Sequence, residues 1–126
     1  MSHYEQRLEK DLEHIRGEVS DLATSVKQAV KNSIHALLTA NQDLASVTIL
    51  GDGPINRKMR EIDTLCHQFI AVHLPSAGHL RLMSSVIRIN IILERIGDYA
   101  VTISRELQRI DGAPDKRLAP GIELLA

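Results

Sequence analysis

The sequence predicts an all-α fold, an antiparallel three-helix bundle, and three observations carry that prediction. Apolar residues recur at steps of three and four over long stretches, the period of an amphipathic helix. Proline and glycine cluster at a few well-separated places, where they punctuate those stretches. Aromatic residues make up only 2% of the chain, so Leu, Ile, Val and Ala must fill the core. With 126 residues and 44% hydrophobic content, the chain is about one domain with enough apolar surface to bury.

The first helix runs from Ser2 to about Thr39. Tyr4, Leu8, Leu12, Ile15, Val19, Leu22, Val26, Ala29, Ile34 and Leu37 give it an apolar stripe, and Ser2 is its N-cap candidate. Asn41-Gln42-Asp43 offers caps for a second helix carrying Leu44, Val47, Ile55, Met59, Ile62, Cys66, Phe69 and Val72. Within it, Gly51-Asp52-Gly53-Pro54 combines weak helix formers with a proline that cannot donate to residue 50, so a kink or break is expected near residues 50–54. Pro75 disfavours helical geometry in Leu74 and ends the second helix there. The third helix is expected from Ala77 to Ile110, antiparallel to the second because the loop is short.

Taking 100° per residue from Ile87, the third helix has one stripe made of Leu80, Met83, Ile91, Glu94, Asp98 and Val101. A second apolar face comprises Ile89, Leu93, Ile96, Ala100, Ile103 and Leu107. Two apolar faces on one helix call for partners on both sides. Residues 1–110 therefore read as one three-helix domain, and residues 111–126 as a linker and the start of a further helix. The expected cover is a second copy, as a homodimer, or the other half of a longer two-unit protein.

Composition removes several function classes. A formal charge of −1, from 15 basic and 16 acidic residues, leaves no nucleic-acid signature, and no basic patch is interleaved with aromatics. The single cysteine, Cys66, cannot form an internal disulfide and is spaced from Ile62 and Phe69 as a core residue. The N-terminus lacks an apolar signal region and no apolar run reaches the roughly 20 residues of a bilayer span, so a soluble cytoplasmic protein is expected, touching membranes only through partners. The six histidines never form Glu-x-x-His, the di-iron pattern, and most are expected on the surface. No glycine-rich phosphate cradle is present and the hallmark side chains are acidic, so phosphate itself need not bind.

The segment Leu93-Glu94-Arg95-Ile96-Gly97-Asp98-Tyr99-Ala100-Val101 is the most informative. Glu94 and Asp98 stand i, i+4, roughly 6 Å apart along the axis, where they can share a cation. Spacing alone favours a solvated face or an ion pair with arginine, but their place in the apolar stripe turns both away from water, where two like charges call for a cation or a basic partner. Taking Pro75 as the centre of a hairpin brings Asp52 level with Asp98, and Asn56 level with Glu94. This four-residue oxygen set suits Mg²⁺, Mn²⁺, Ca²⁺ or iron, a divalent or trivalent metal ion, and would hold Zn²⁺ less specifically. Asp52 can also simply cap a restarting helix. Arg88 and Arg95, beside the acidic pair, are candidates for partner binding or charge balance. Gly97 inside a helix disfavours it by roughly 1 kcal/mol relative to Ala, which points to close helix approach or room beside Asp98.

The stretch from Leu93 to Ile103 resembles the signature of the PhoU family, typically Leu-Glu-Arg-Ile-Gly-Asp-His-Ala-Val-Asn-Ile. Leu74-Pro75-Ser76-Ala77-Gly78-His79-Leu80-Arg81-Leu82-Met83 is similar to that family's turn, and Asp52 to Asn56 to its acidic element. His79 stands where the family often has Asp, Tyr99 replaces the usual His, and Gly51-Asp52-Gly53-Pro54 interrupts a normally continuous helix. The resemblance spans roughly residues 3–110, one three-helix unit where members usually carry two. It implies a non-catalytic cytoplasmic adaptor of the phosphate ABC transporter and its sensor histidine kinase, repressing phosphate-starvation genes when phosphate is plentiful. It also implies a metal cluster at Asp52, Asn56, Glu94 and Asp98. Alternatives are a carboxylate-bridged metalloprotein for storage or redox work, a purely structural helical dimer, and a PhoU-type regulatory domain of another ion transporter.

Overall fold

A computed structural model describes residues 2–110. It is helical throughout: α1 spans His3–Thr39, α2 Gln42–Leu50, α3 Asp52–His73 and α4 Ala77–Arg109. The expected linker and further helix at 111–126 lie outside the described residues.

Short-range chemistry sets the ends. Ser2 Oγ accepts from the Glu5 N–H at 3.1 Å while the Glu5 carboxylate accepts from the Ser2 N–H, a reciprocal capping box. Ala40 closes α1 in the left-handed region at φ 53°, and the next N–H, that of Asn41, bonds back to Ala36 O at 2.9 Å. Asn41 Oδ1 then caps α2 by accepting from Leu44 N–H. At the α2–α3 junction Gly51 keeps right-handed helical dihedrals, φ −71° and ψ −12°, and its N–H still reaches Val47 O. Pro54 has no N–H to offer Leu50, so the ladder is interrupted there. Leu74, at φ 44°, ends α3, and Ser76 Oγ accepts from His79 N–H to begin α4.

Cross-helix contacts define the arrangement. Glu18 with Lys58 and Asp11 with His73 pair rising numbers on α1 with falling numbers on α3. Ile55 beside Gly97 and Met59 bonded to Asn90 do the same between α3 and α4. Gln42 and Ser46 of α2 meet Leu107 and Gln108 near the end of α4. The main core joins Leu12, Ile15, Leu22 and Val26 of α1 to Ile55, Ile62, Cys66 and Phe69 of α3 and Met83, Val86 and Ala100 of α4. Ala36, Ala45 and Leu107 form a smaller cluster where α1, α2 and α4 meet.

The buried side of α4 corrects the sequence reading. Its buried residues are Met83, Val86, Asn90, Gly97, Ala100, Val101, Ser104 and Leu107. That direction is turned roughly 90° round the helix from Ile87, between the two expected stripes. Leu80 and Ile91, placed on the first stripe, are 42% and 50% exposed, and Ile89 and Ile96, placed on the second, are 45% and 36% exposed. The physical reason is that Asn90, Gly97 and Ser104 occupy core positions without being large or apolar. Asn90 Nδ2 donates to Met59 O at 2.8 Å, Ser104 Oγ donates to Ala100 O at 2.9 Å, and Gly97 faces Ile55 and Val26 without a side chain of its own. Among the described residues no helix is long and apolar enough to cross a membrane.

Candidate functional site

The acidic motif is positioned through Gly97. A Cβ there would stand 3.7 Å from Ile55 Cγ2 and 4.0 Å from Val26 Cγ2, so Gly97 faces the core between α3 and α1. Both are ordinary contact distances, so helix packing alone does not demand a glycine here. Its neighbours Glu94 and Asp98 come to the rim: Glu94 is half-buried and Asp98 is exposed. The expectation that both carboxylates sit inside an apolar, water-shielded stripe is overturned for Asp98, because the core direction lies elsewhere on α4.

On α3, Asp52 occupies the first turn, where unpaired N–H groups and the helix dipole favour a carboxylate. Its Oδ2 accepts from Asn56 Nδ2 at 3.1 Å, and its Oδ1 is buried without a partner. The contacts Ile55–Gly97 and Met59–Asn90 set the register of α3 against α4, which puts Asp52 and Asn56 near the heights of Asp98 and Glu94 along the bundle. Shared height does not make a cluster. Among the described residues no three His, Cys, Asp or Glu side chains gather as a group that could hold a metal ion. The donor types suit a hard cation, yet the three carboxylates do not converge on one point.

Arg88 and Arg95 are exposed, and among the described residues neither forms an ion pair with Glu94 or Asp98. With Arg81 they make a column at seven-residue steps along the outer side of α4. A surface hollow of about 500 Å³ lies between α1, α2 and α3 and is lined by residues such as Gln28, Asn32, Thr48 and Lys58; none of the four predicted site residues lines it.

Two polar features escaped the sequence reading. Asn90 bridges α4 to α3 from inside the core. His73, 2% exposed, places Nε2 2.6 Å from Asp11 Oδ2 and packs against Phe69 and Tyr4, with Nδ1 buried and unpartnered. The steps Ile62, Cys66, Phe69, His73 carry the helical core period and would have found it. Cys66 is buried, and desolvation, helped by the nearby Asp63 charge, pushes its thiol up to about 11, where thiolate is scarce at neutral pH.

The comparisons fall on this same region. A family model described as PhoU domain matches residues 19–107, a span holding Asp52, Asn56, Glu94 and Asp98. The phosphate-specific transport system accessory protein PhoU of Edwardsiella tarda is 35% identical over 103 residues, 82% of this chain and 42% of that protein. Its homolog in Pseudomonas putida is 35% identical over 103 residues, 82% of this chain and 40% of that protein. The Aquifex aeolicus homolog is 35% identical over 98 residues, 78% of this chain and 44% of that protein. The chain thus spans less than half the length of these curated relatives. No solved structure matches it.

Proposed function

Because the chain belongs to the PhoU family, we propose that it is an accessory regulator of phosphate transport that works as a helical adaptor. In this reading it docks, in the cytoplasm, on a phosphate ABC transporter and a sensor histidine kinase, and lowers phosphate-starvation signalling when phosphate is plentiful. The observation that carries the proposal is the 89-residue family match over α1 to α4, together with an α4 whose outer side keeps Ile89, Ile92, Ile96 and Tyr99 in solvent. The matched segment is less than half the length of these relatives, and homodimerisation of the chain is a further part of this proposal. The proposal gives the chain no catalytic step.

The test is co-purification from cells grown with ample phosphate. The expected result is recovery of transporter or kinase subunits with the tagged chain; their absence in both replete and starved cells, with the chain folded and expressed, would overturn the reading.

A second reading adds a metal ion, iron, Mn, Mg or Zn, held by Asp52, Asn56, Glu94 and Asp98. The orphaned Asp52 Oδ1 favours it and the unconverged carboxylates count against it. Elemental analysis after metal loading and exhaustive dialysis decides: stoichiometric metal that is lost in Asp98→Ala supports the site, and none retained removes it.

A further inference from the structure

The outer side of α4 carries two parallel rows that the bundle does not use. The first is apolar: Ile89, Ile92, Ile96 and Tyr99 follow one another at steps of three and four and are 45%, 53%, 36% and 60% exposed. That is the spacing of a helix-docking seam. The second is basic: Arg81, Arg88 and Arg95 repeat every seven residues and all are exposed, with Arg88 and Arg95 immediately flanking that seam and Arg81 two turns before it. Among the described residues none of the three is held in an ion pair. Four large apolar side chains in a line exceed the scattered exposure ordinary for a monomer's surface.

We propose that this face receives an amphipathic helix of a partner protein whose apolar seam is flanked by Asp and Glu. The inference rests on the adaptor reading and deepens it by naming the partner's chemistry. Charge decides the occupant. If a second copy packed its own α4 here antiparallel, the two arginine columns would face each other, because flanking positions of the same kind meet across an antiparallel seam. Packed parallel, each column would face the opposite flank, which in this chain is Val86, Leu93 and Ala100, residues already turned into its own core. Neither self-pairing offers Arg88 or Arg95 a carboxylate: the one acidic residue of α4 that continues the arginine line, Glu106, is paired with Arg109 and would meet only Arg81. A helix with acidic flanks satisfies both rows at once: its Leu or Ile side chains cover the seam, and its carboxylates accept from the guanidinium forks.

The probes are two synthetic three-heptad helices with Leu along the seam, one flanked by Glu and its twin by Lys, labelled for fluorescence anisotropy with the full chain. The Glu helix is expected to bind and the Lys helix to bind far more weakly. In R88E/R95E the Glu helix should lose roughly tenfold in affinity, the sum of lost and reversed exposed pairs, and the Lys helix should gain by a similar factor. Ile92→Asp should abolish binding of both. All substituted positions are exposed, and circular dichroism checks that the variants fold. Equal binding of the two helices, or no binding of the Glu helix, overturns the proposal. So does sedimentation showing a dimer that Ile92→Asp dissolves, which would give the face to a second copy, or binding of phosphatidylglycerol vesicles in preference to the Glu helix, which would give it to a lipid surface. If transporter and kinase still co-purify with R88E/R95E, this inference fails while the adaptor reading stands.

Discussion

His73 Nε2 lies 2.6 Å from Asp11 Oδ2, tying the last turn of α3 to the first half of α1 at the end of the bundle opposite α2. The ring is buried while the carboxylate is half open to solvent, so the histidine depends on the contact more than the aspartate does. Asp11→Ala leaves a second buried ring nitrogen without a partner and is expected to lower stability by about 1–2 kcal/mol, read by urea denaturation. An unchanged midpoint would mean that water replaces the carboxylate.

Gly97 gives a two-sided prediction. Gly97→Ala adds a Cβ at ordinary contact distance from Ile55 and Val26 and removes the entropic penalty of glycine, so a gain of about 0.5–1 kcal/mol is expected. Gly97→Leu must displace both neighbours and is expected to lose about 1–3 kcal/mol. Thermal unfolding of the two variants beside the parent checks the sign of each; a destabilised Gly97→Ala would show that the helices pack more tightly here than the distances indicate.

Ala40 pays for its left-handed conformation in a way glycine would not. Ala40→Gly is expected to stabilise the fold by roughly 1 kcal/mol. Equilibrium denaturation measures it, and a loss would assign the Ala40 methyl a packing role that outweighs the backbone strain.

The raised Cys66 thiol links stability to alkaline pH. The folded chain holds this proton up to about 11, above the usual value of 9.0, so between those values the native state binds more protons than the unfolded one. Stability is therefore full below about pH 9 and falls as pH rises toward 11. Cys66→Ala should flatten that window while losing some packing at every pH. Ellman's reagent should label the native chain slowly at neutral pH and rapidly in denaturant; fast native labelling would contradict the burial.

The helix ends were legible because their determinants are local. Ser2, Asn41 and Ser76 each accept from the N–H group three residues on, and Pro75 restricts only its neighbour, so sequence and structure agree to within a residue or so at both ends of α1 and α4. The core side of α4 was not legible from apolar periodicity, since Asn90, Gly97 and Ser104 sit inside. The candidate site was legible only in part. Hairpin symmetry gives the heights of Asp52, Asn56, Glu94 and Asp98, whereas convergence depends on which way each helix is rotated. That rotation is fixed by Gly97, Ile55 and Val26 rather than by the acidic residues themselves.

Met83, Asn90, Gly97 and Ser104 follow one another every seven residues along the core side of α4, and no two are alike. A one-heptad slide in one direction would drive the Asn90 amide into the space beside Ile55 where only hydrogen now stands, and would withdraw its bond from Met59 O. A slide the other way would bring Gly97 opposite that carbonyl, leaving a void and no donor. Axial slippage is thus blocked in both directions, as by a key with unequal teeth. A signal received on the outer face of α4 is therefore expected to travel by a motion other than a heptad slide, such as a tilt of the helix that carries Glu94 and Asp98 with it.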